Sequence, residues 1–562
     1  MKSSYIKFIF FSINLLILSF LVLADPRGSV LSDPHTQTIA PISVALSYLV
    51  FDIKGWVGLK EVFSALLEPT ITDYASRYIG HLGGFVVDFK NIAEVETYRD
   101  AITQNFEKIK SLNVLDEKNV ITPWGDVGYI IFTFISFFLF GVSVKSISLF
   151  FVFITVISSL IFMIAFHKNN FIFFILQTLI FSFTLVIIGN YGGSIQTFSM
   201  TNYRFSSVLT LIPTIHLIFL ILDNKNLSKY KIILAFVQLI ILLFLCFVRG
   251  TSLWGFLFIL LFYFSWIVLT GLKNLKLYKR IIITMGSIIF SFIIIFNLTN
   301  NIIEKNLSYK LTGNTTINHP FWHAAFLGLA IHPSVYEKYV CSDEKLDDFK
   351  TIQLKPCGVY PQMFPEYSKF YKEVVFYQAR DYFGYNAAVT FLHRNNINEK
   401  IGVEDVKNNN YERGLNEVDW QKYEKIIKTV YFDFLLNNPL EYLYIHLILK
   451  PIRVLYEVIK FPFYFLNAFK LNTLFIFLIF LSSLSILTIS NKMFKIKEDF
   501  ENLKNKNYIH IFKIFFTLLI LLLASPSIFF YTSAQSGTAE LTIGTLIFLI
   551  FLVKTRIEKT SI

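Results

Sequence analysis

The sequence predicts an all-α polytopic membrane protein with about ten transmembrane helices, outer-surface juxtamembrane helices and a mainly helical periplasmic domain. Two observations carry that expectation. Of the 562 residues, 54% are hydrophobic and only 16% charged, with a mean hydropathy of +0.56, more apolar side chain than a water-facing fold can hide. The apolar residues, 63 Phe among them, also fall into successive runs of roughly 18–23 residues, the length that carries a helix across ~30 Å of hydrocarbon.

The net charge of +12 lies mostly in short loops beside these runs, where Lys and Arg set orientation, so the partners are membrane lipid and not nucleic acid. Three Cys are too few for a disulfide scaffold. Cys246 sits inside an apolar run, whereas Cys341 and Cys357 share a polar segment and would pair only in an oxidising compartment.

Residues 5–24 form the first span, with Lys2 and Lys7 at its cytoplasmic start. A cleaved signal peptide is the competing reading, and it leaves Asp25 outside just the same. A large first outer loop, 25–125, follows, with a short apolar patch at 42–51 and a helix-like stretch at 92–115. The next apolar runs are 126–143, 147–167, 171–189, 205–222, 231–248, 252–271 and 280–297. If all seven crossed, the basic loops 223–231 and 272–280 would both lie outside, against the positive-inside rule. Laying 126–143 along the outer surface restores both loops to the inside.

Residues 298–440 then form an outer domain. The run 441–466 carries Glu441, Lys450, Arg453, Glu457 and Lys460, each costly in mid-membrane, and reads as an amphipathic surface helix. Spans at 471–489, 509–530 and 540–553 complete a count of ten with both termini cytoplasmic. The chain thus divides into a membrane module at 1–297, an outer domain with its surface helix at 298–466, and closing spans at 467–562.

This topology gathers polar residues on one side. Asp25, Arg27, Asp33 and His35 follow the first span, Arg204 precedes the fourth and Arg249 ends the fifth. The motif His319-Pro320-Phe321-Trp322-His323 opens the outer domain. An arginine at a span end is often an interfacial anchor, and an Asp in a Pro-punctuated loop is often a cap. Against that, Arg204 follows the Gly-rich loop Asn190-Tyr191-Gly192-Gly193-Ser194, and Arg249 interrupts an apolar stretch. His319 and His323 have the spacing of two metal ligands on one helix turn but no third, so no metal site is assigned and a divalent cation stays a minor reading. Phosphate-loop, His-Glu-x-x-His and Gly-x-Ser-x-Gly motifs are missing.

This pattern resembles the GT-C class of membrane glycosyltransferases. The resemblance rests on the acid just past the first span and the long first outer loop. It rests also on Pro123-Trp124-Gly125-Asp126-Val127-Gly128-Tyr129 leading into a surface helix that ends at Phe140-Gly141, on the arginine at Tyr203-Arg204 and on the late outer domain. Many members carry adjacent acids where this chain has two Asp-Pro units eight residues apart, so whether Asp25 or Asp33 corresponds is open. The Trp-Trp-Asp signature of oligosaccharyltransferases is missing, which argues against transfer to asparagine.

The resemblance implies a bacterial inner-membrane enzyme that moves a sugar from a polyprenyl-phosphate carrier to a glycan, lipid or protein hydroxyl on the outer face, with inversion. It implies Asp33 as base with Asp25 as alternate, and Arg204 and Arg249 on the donor phosphate. Arg27, His35, His319 and His323 would orient sugar or phosphate, and Trp322, Tyr382 and Tyr385 would stack on sugar rings. A transporter or flippase for a lipid-linked glycan, or a polysaccharide polymerase or ligase, is the alternative.

Overall fold

A computed structural model describes residues 2–24, 39–53, 58–66, 101–113, 120–121, 127–191, 205–222, 227–268, 275–306, 321–329, 335, 387–388, 391, 395, 420–471, 474–493, 508–530 and 538–560. In chain order the helices are α1 (Lys2–Ala24), α2 (Ile39–Phe51), α3 (Lys60–Leu66), α4 (Ala101–Lys110), α5 (Val127–Phe140), α6 (Val144–Phe166), α7 (Asn170–Tyr191), α8 (Leu211–Leu222) and α9 (Lys229–Val248). They continue with α10 (Leu253–Trp266), α11 (Leu275–Asn306), α12 (Phe321–Leu329), α13 (Trp420–Asn437), α14 (Pro439–Tyr444), α15 (Lys450–Leu471), α16 (Leu474–Met493), α17 (Tyr508–Phe529) and α18 (Thr538–Thr560). Short 3-10 turns at Phe205–Thr210 and Gly250–Ser252 lead into α8 and α10, and a π turn at Ile445–Leu449 joins α14 to α15.

Among the described residues, five stretches are long and apolar enough to cross a membrane: Tyr5–Leu23, Val144–Phe166, Asn170–Gly189, Lys229–Val248 and Ile281–Ile302. Shorter apolar helical stretches stand at Ser206–Ile221, Leu253–Trp266, Leu474–Leu484, Phe515–Pro526 and Leu541–Ile550. Outward-facing rows such as Ile283, Phe290, Ile294, Leu298 and Ile302 on α11 are exposed on the protein surface, where lipid is the solvent that suits them. The chain is a predominantly helical, membrane-embedded protein.

The bundle closes around α7, which packs against α1, α6, α15, α16 and α18 and is buried on every side. Its start is fixed by Asn169, whose side-chain oxygen accepts from the Ile172 N–H at 3.1 Å. The Lys7 ammonium of α1, almost fully buried, donates to the His167 carbonyl and to Asn170 at the same turn. Deeper down, Asn14 donates to Gln177 at 2.7 Å and accepts from Ser482 of α16 at 2.6 Å, so one buried amide joins three helices. Ser158 and Gln238 tie α6 to α9 with two bonds of 2.8 Å each. Among apolar surfaces equally content in lipid, such bonds choose the helix partners.

The segment between α2 and α5 is anchored twice. Asp52, with φ of +50°, closes the end of α2, its N–H on the Tyr48 carbonyl at 3.0 Å. The Leu59 N–H then donates to Ser47 Oγ at 2.9 Å, and β1 (Gly58–Leu59) pairs antiparallel with β2 (Val120–Ile121). The chain between leaves and returns at one place on α2. Within it, α4 lies in the helix-like stretch 92–115, buries Ile109 and exposes Glu107, Lys108 and Lys110.

Helix α5 has 14 residues and so rises about 21 Å, short of the ~30 Å of a hydrocarbon layer. It ends at Gly141, whose φ of +83° only glycine adopts without strain. Ser146 Oγ then donates to the freed Gly141 carbonyl at 2.6 Å, while Ser143 caps α6. Tyr48 of α2 meets Phe134 of α5 edge to face, and Phe132, Phe150 and Phe244 lock α5, α6 and α9 together.

Residues 439–471 form one continuous helical path packed on α7, α17 and α18. Phe461 fills the space that Gly189 leaves at the end of α7. The opposite face carries Leu440, Leu443, Leu447, Leu455, Ile459, Phe463 and Leu466, all exposed.

Replacing Asn14 with Leu should cost about 1–3 kcal/mol, because the Gln177 amide stays buried without its donor. The double variant Asn14→Leu with Gln177→Leu should recover part of that loss. Thermal unfolding midpoints in detergent measure both.

Candidate functional site

The described arginine among the sequence-derived site residues is Arg249, and its surroundings define the candidate site. It is the C-cap of α9, in extended conformation, with its N–H on the Leu245 carbonyl at 3.0 Å and its own carbonyl accepting from the Ser252 N–H at 2.8 Å. Leaving the helix there, the chain turns at once through Gly250–Ser252 into α10. Arg249 is only 4% exposed, which is not the position of an arginine that snorkels to headgroups.

Two other stretches meet this turn. The start of α5, two residues beyond Asp126 in sequence, places Gly128 directly against the α9 backbone. A Cβ on Gly128 would overlap the Phe247 carbonyl and the Val248 nitrogen. Glycine is therefore required for the approach, which explains its place in the Trp-Gly-Asp-Val-Gly sequence. The turn Phe205–Thr210, which begins one residue after Arg204, packs against both α9 and the Gly250–Ser252 turn. Gly255 at the start of α10 closes on Thr214 of α8 in the same way, with its Cβ position 2.7 Å from Thr214 Oγ1.

Arg204, Asp25, Arg27, Asp33, His35, His319, Tyr382, Tyr385, Cys341 and Cys357 lie outside the described residues. The structure thus brings together the end of α9 with Arg249, the turn Phe205–Thr210 and the beginning of α5.

Trp322 and His323 stand elsewhere, in the packing of α12 on α13. The Trp322 and His323 N–H groups both donate to the Glu424 carboxylate at 2.9 Å, so a side chain from α13 caps the first turn of α12. His323 Nδ1 and the Tyr423 hydroxyl share a short bond, both groups buried. The Trp322 ring meets Tyr431 and Phe432, and the Lys428 ammonium lies 5.4 Å from its centre. His323 is thus a packed, hydrogen-bonded histidine.

That junction continues into a second polar cluster. The Tyr431 and Tyr442 hydroxyls lie 2.8 Å apart, and burial with this bond pushes the Tyr431 phenol well above its usual range. His446, in the π turn, is nearly fully buried, with Nδ1 2.9 Å from the Ile528 carbonyl at the end of α17. Pro526 removes the helix donor for Leu522, and Ser525 Oγ takes that carbonyl at 2.6 Å. Gly328 of α12 presses on the Phe529 carbonyl from the other side. Burial, with the nearby Lys450 charge, lowers the His446 pKa from 6.5 to about 4, although its backbone bond works the other way. His446 was not singled out from sequence; the signal available was the row Tyr442, His446, Lys450 at four-residue spacing on one helix face.

Among the described residues, no group of three or more His, Cys, Asp or Glu stands close enough to hold a metal ion. Compared with protein families, curated proteins and solved structures, the chain matches none.

Gly128→Ala should destabilise the protein by several kcal/mol or block its folding, because rigid backbone on both sides leaves no room for relaxation; yield and melting midpoint beside a Gly141→Ala control check this. For His446 the folded pKa lies below the unfolded value. Between pH 6.5 and about 4 the unfolded chain takes up a proton that the folded chain refuses. Stability should therefore fall as pH drops through that window, and melting curves of His446→Gln should lose that part of the pH slope.

Proposed function

We propose that the chain is an inverting glycosyltransferase, moving a sugar from a polyprenyl-phosphate carrier to an acceptor hydroxyl at the outer face of the bacterial cytoplasmic membrane. The topology that goes with this reading has ten spans, both termini cytoplasmic, and the outer domain and first loop on the catalytic side. The observation that carries the reading is the buried Arg249 at the meeting of α9, α5 and the turn that follows Arg204.

Arginine suits a lipid phosphate because its planar guanidinium presents paired donors that match two phosphate oxygens. In the proposed reaction the Asp33 carboxylate, or Asp25, takes the proton of the acceptor hydroxyl. The acceptor oxygen forms a bond to the anomeric carbon from the face opposite the leaving group. The bond between that carbon and the carrier phosphate oxygen breaks, and its electrons leave with polyprenyl phosphate. Arg249 and Arg204 would stabilise the charge that grows on those oxygens.

The transporter reading has one observation in its favour. His216 of α8 is fully buried against Phe162 and Phe166, with no hydrogen-bond partner at either ring nitrogen among the described residues. As a neutral ring held by aromatic edges it also serves as packing, and the buried Asn14, Gln177 and Gln238 are uncharged ties between helices.

Asp33→Asn should lower sugar transfer by at least a hundredfold with expression intact, and Arg249→Lys should weaken donor use about tenfold or more. Transfer assays with radiolabelled polyprenyl-phosphate sugars in proteoliposomes measure both. Full activity in the double variant Asp25→Asn with Asp33→Asn removes the proposed base.

A further inference from the structure

The end of α13 and the turn into α14 carry an apolar surface that no span explains. Leu436 and Leu440, at 77% each, are the most exposed large apolar side chains among the described residues. They flank the turn Asn437-Asn438-Pro439. Helix α13 holds Lys422, Glu424, Lys425, Lys428 and Asp433 and so is no crossing segment. Its exposed Phe432 and Leu436 therefore do not face the middle of a bilayer, and in water they would form an apolar patch with Leu440.

The level of this turn is set by α17. The apolar stretch Phe515–Pro526 of that helix ends just before Phe529 and Phe530, and there α12 is seated. Gly328 presses on the Phe529 carbonyl, and the Phe321 ring meets that of Phe530. Helix α13 packs on α12. The pair thus stands at the end of an apolar helix, where hydrocarbon gives way to headgroups. Rings with one polar end, which gather in that zone, are present in Trp322 beside Lys428, in the Tyr431 and Tyr442 pair and in the exposed Tyr444.

One exposed face of α13 changes character along the helix axis. Lys425, Lys428, Phe432 and Leu436 follow one another on it at steps of three or four residues. The rise from Lys428 to Leu436 is about 12 Å. Such a helix brings ammonium groups to the level of lipid phosphates while its end enters the boundary of headgroup and acyl chain, about 5–10 Å deep. Beyond the turn, exposed apolar residues recur at steps of three or four from Leu440 to Leu466, and then at Leu474 and Phe477 of the apolar helix α16. A surface continuous with that of an apolar helix in the bundle calls for lipid as its cover, not for a second protein.

We propose that the α13–α14 turn is a membrane anchor, with Leu436 and Leu440 in the acyl boundary of an anionic leaflet and Lys425 and Lys428 over its phosphates. The anchor extends the surface helix 441–466 back into the charged helix α13 and holds the α12–α13 pair on the bilayer beside α17. It does not depend on the sugar-transfer reading.

The test uses the full chain in nanodiscs of phosphatidylcholine, with or without phosphatidylglycerol. A nitroxide attached at Leu436→Cys, Leu440→Cys or Lys422→Cys reports collisions with oxygen, which gathers in hydrocarbon, and with a nickel chelate confined to water. The three side chains are exposed, so their replacement leaves the core intact, and the wild type labelled in the same way gives the background of the native cysteines. Labels at 436 and 440 should meet oxygen several-fold more often than the chelate, and the label at 422 should show the reverse order. Lys425→Gln with Lys428→Gln should lower the oxygen preference at 436 in the phosphatidylglycerol discs and leave it unchanged in pure phosphatidylcholine.

Collisions dominated by the chelate at both 436 and 440 place the turn in water and refute the anchor. Few collisions with either reagent mark a face covered by protein and refute it as well; dipolar broadening that fades on dilution with unlabelled protein then identifies a second copy as the cover. An oxygen preference that is the same in both discs and in the lysine variant refutes the part assigned to anionic lipid. None of these results touches sugar transfer, which is measured by separate assays.

Discussion

Everything in this bundle depends on a helix with no free face. Helix α7 meets neighbours on all sides, and lipid offers no hydrophobic reward for that enclosure, since a hydrocarbon tail is as apolar as leucine. What selects its neighbours is polar pairing and close fit. Thr178, Ser182 and Thr184 turn their hydroxyls back onto carbonyls four residues earlier and so present apolar flanks. Gln177 cannot do this, and its oxygen takes the Asn14 amide. Because Asn14 in turn accepts from Ser482, a slip of one residue in α1 or α16 would leave buried amide groups bare. The Lys7 bonds at the α6–α7 turn fix the same register from one end.

The candidate site inherits its geometry from that frame. Gln238 and Ser158 set α9 against α6, and the Phe132, Phe150 and Phe244 rings set both against α5. With these heights fixed, the last turn of α9 falls beside Gly128, and the turn carrying Arg249 has one place to go. The guanidine-bearing residue is positioned by contacts about one to three turns back along α9, at Phe244 and Gln238. Its location is a property of the bundle and not of the loop in which it sits.

Much of this was legible in the sequence, for identifiable reasons. Apolar runs report helices because each must satisfy its own backbone in lipid, and the segments named as spans are helical over their described parts. The interrupted run at Arg249 marked a helix end because a guanidinium in mid-span is costly. What stayed hidden depends on distant pairing. Nothing local to Phe321-Trp322-His323 announces that Glu424, about a hundred residues on, caps that helix. Nothing local to Gly128 names Phe247 as its neighbour, and the ladder that closes the segment between α2 and α5 is two residues long on each side. The run 441–466, within the path 439–471, read as amphipathic from its charges. Its exposed row is apolar, and Lys450 and His446 are turned inward, a sorting that only the position of α7, α17 and α18 decides.

The electrostatics of the Arg249 turn bear on why an anion would come there. Arg249 ends α9 where the last carbonyls carry partial negative charge, which steadies a cation there by roughly 0.3–2 kcal/mol. The start of α5, whose first-turn N–H groups have no partners within the helix, abuts the same backbone at Phe247 and Val248. The residue that carries the guanidinium and the start of α5, whose N–H groups favour negative charge, thus adjoin the same last turn of α9.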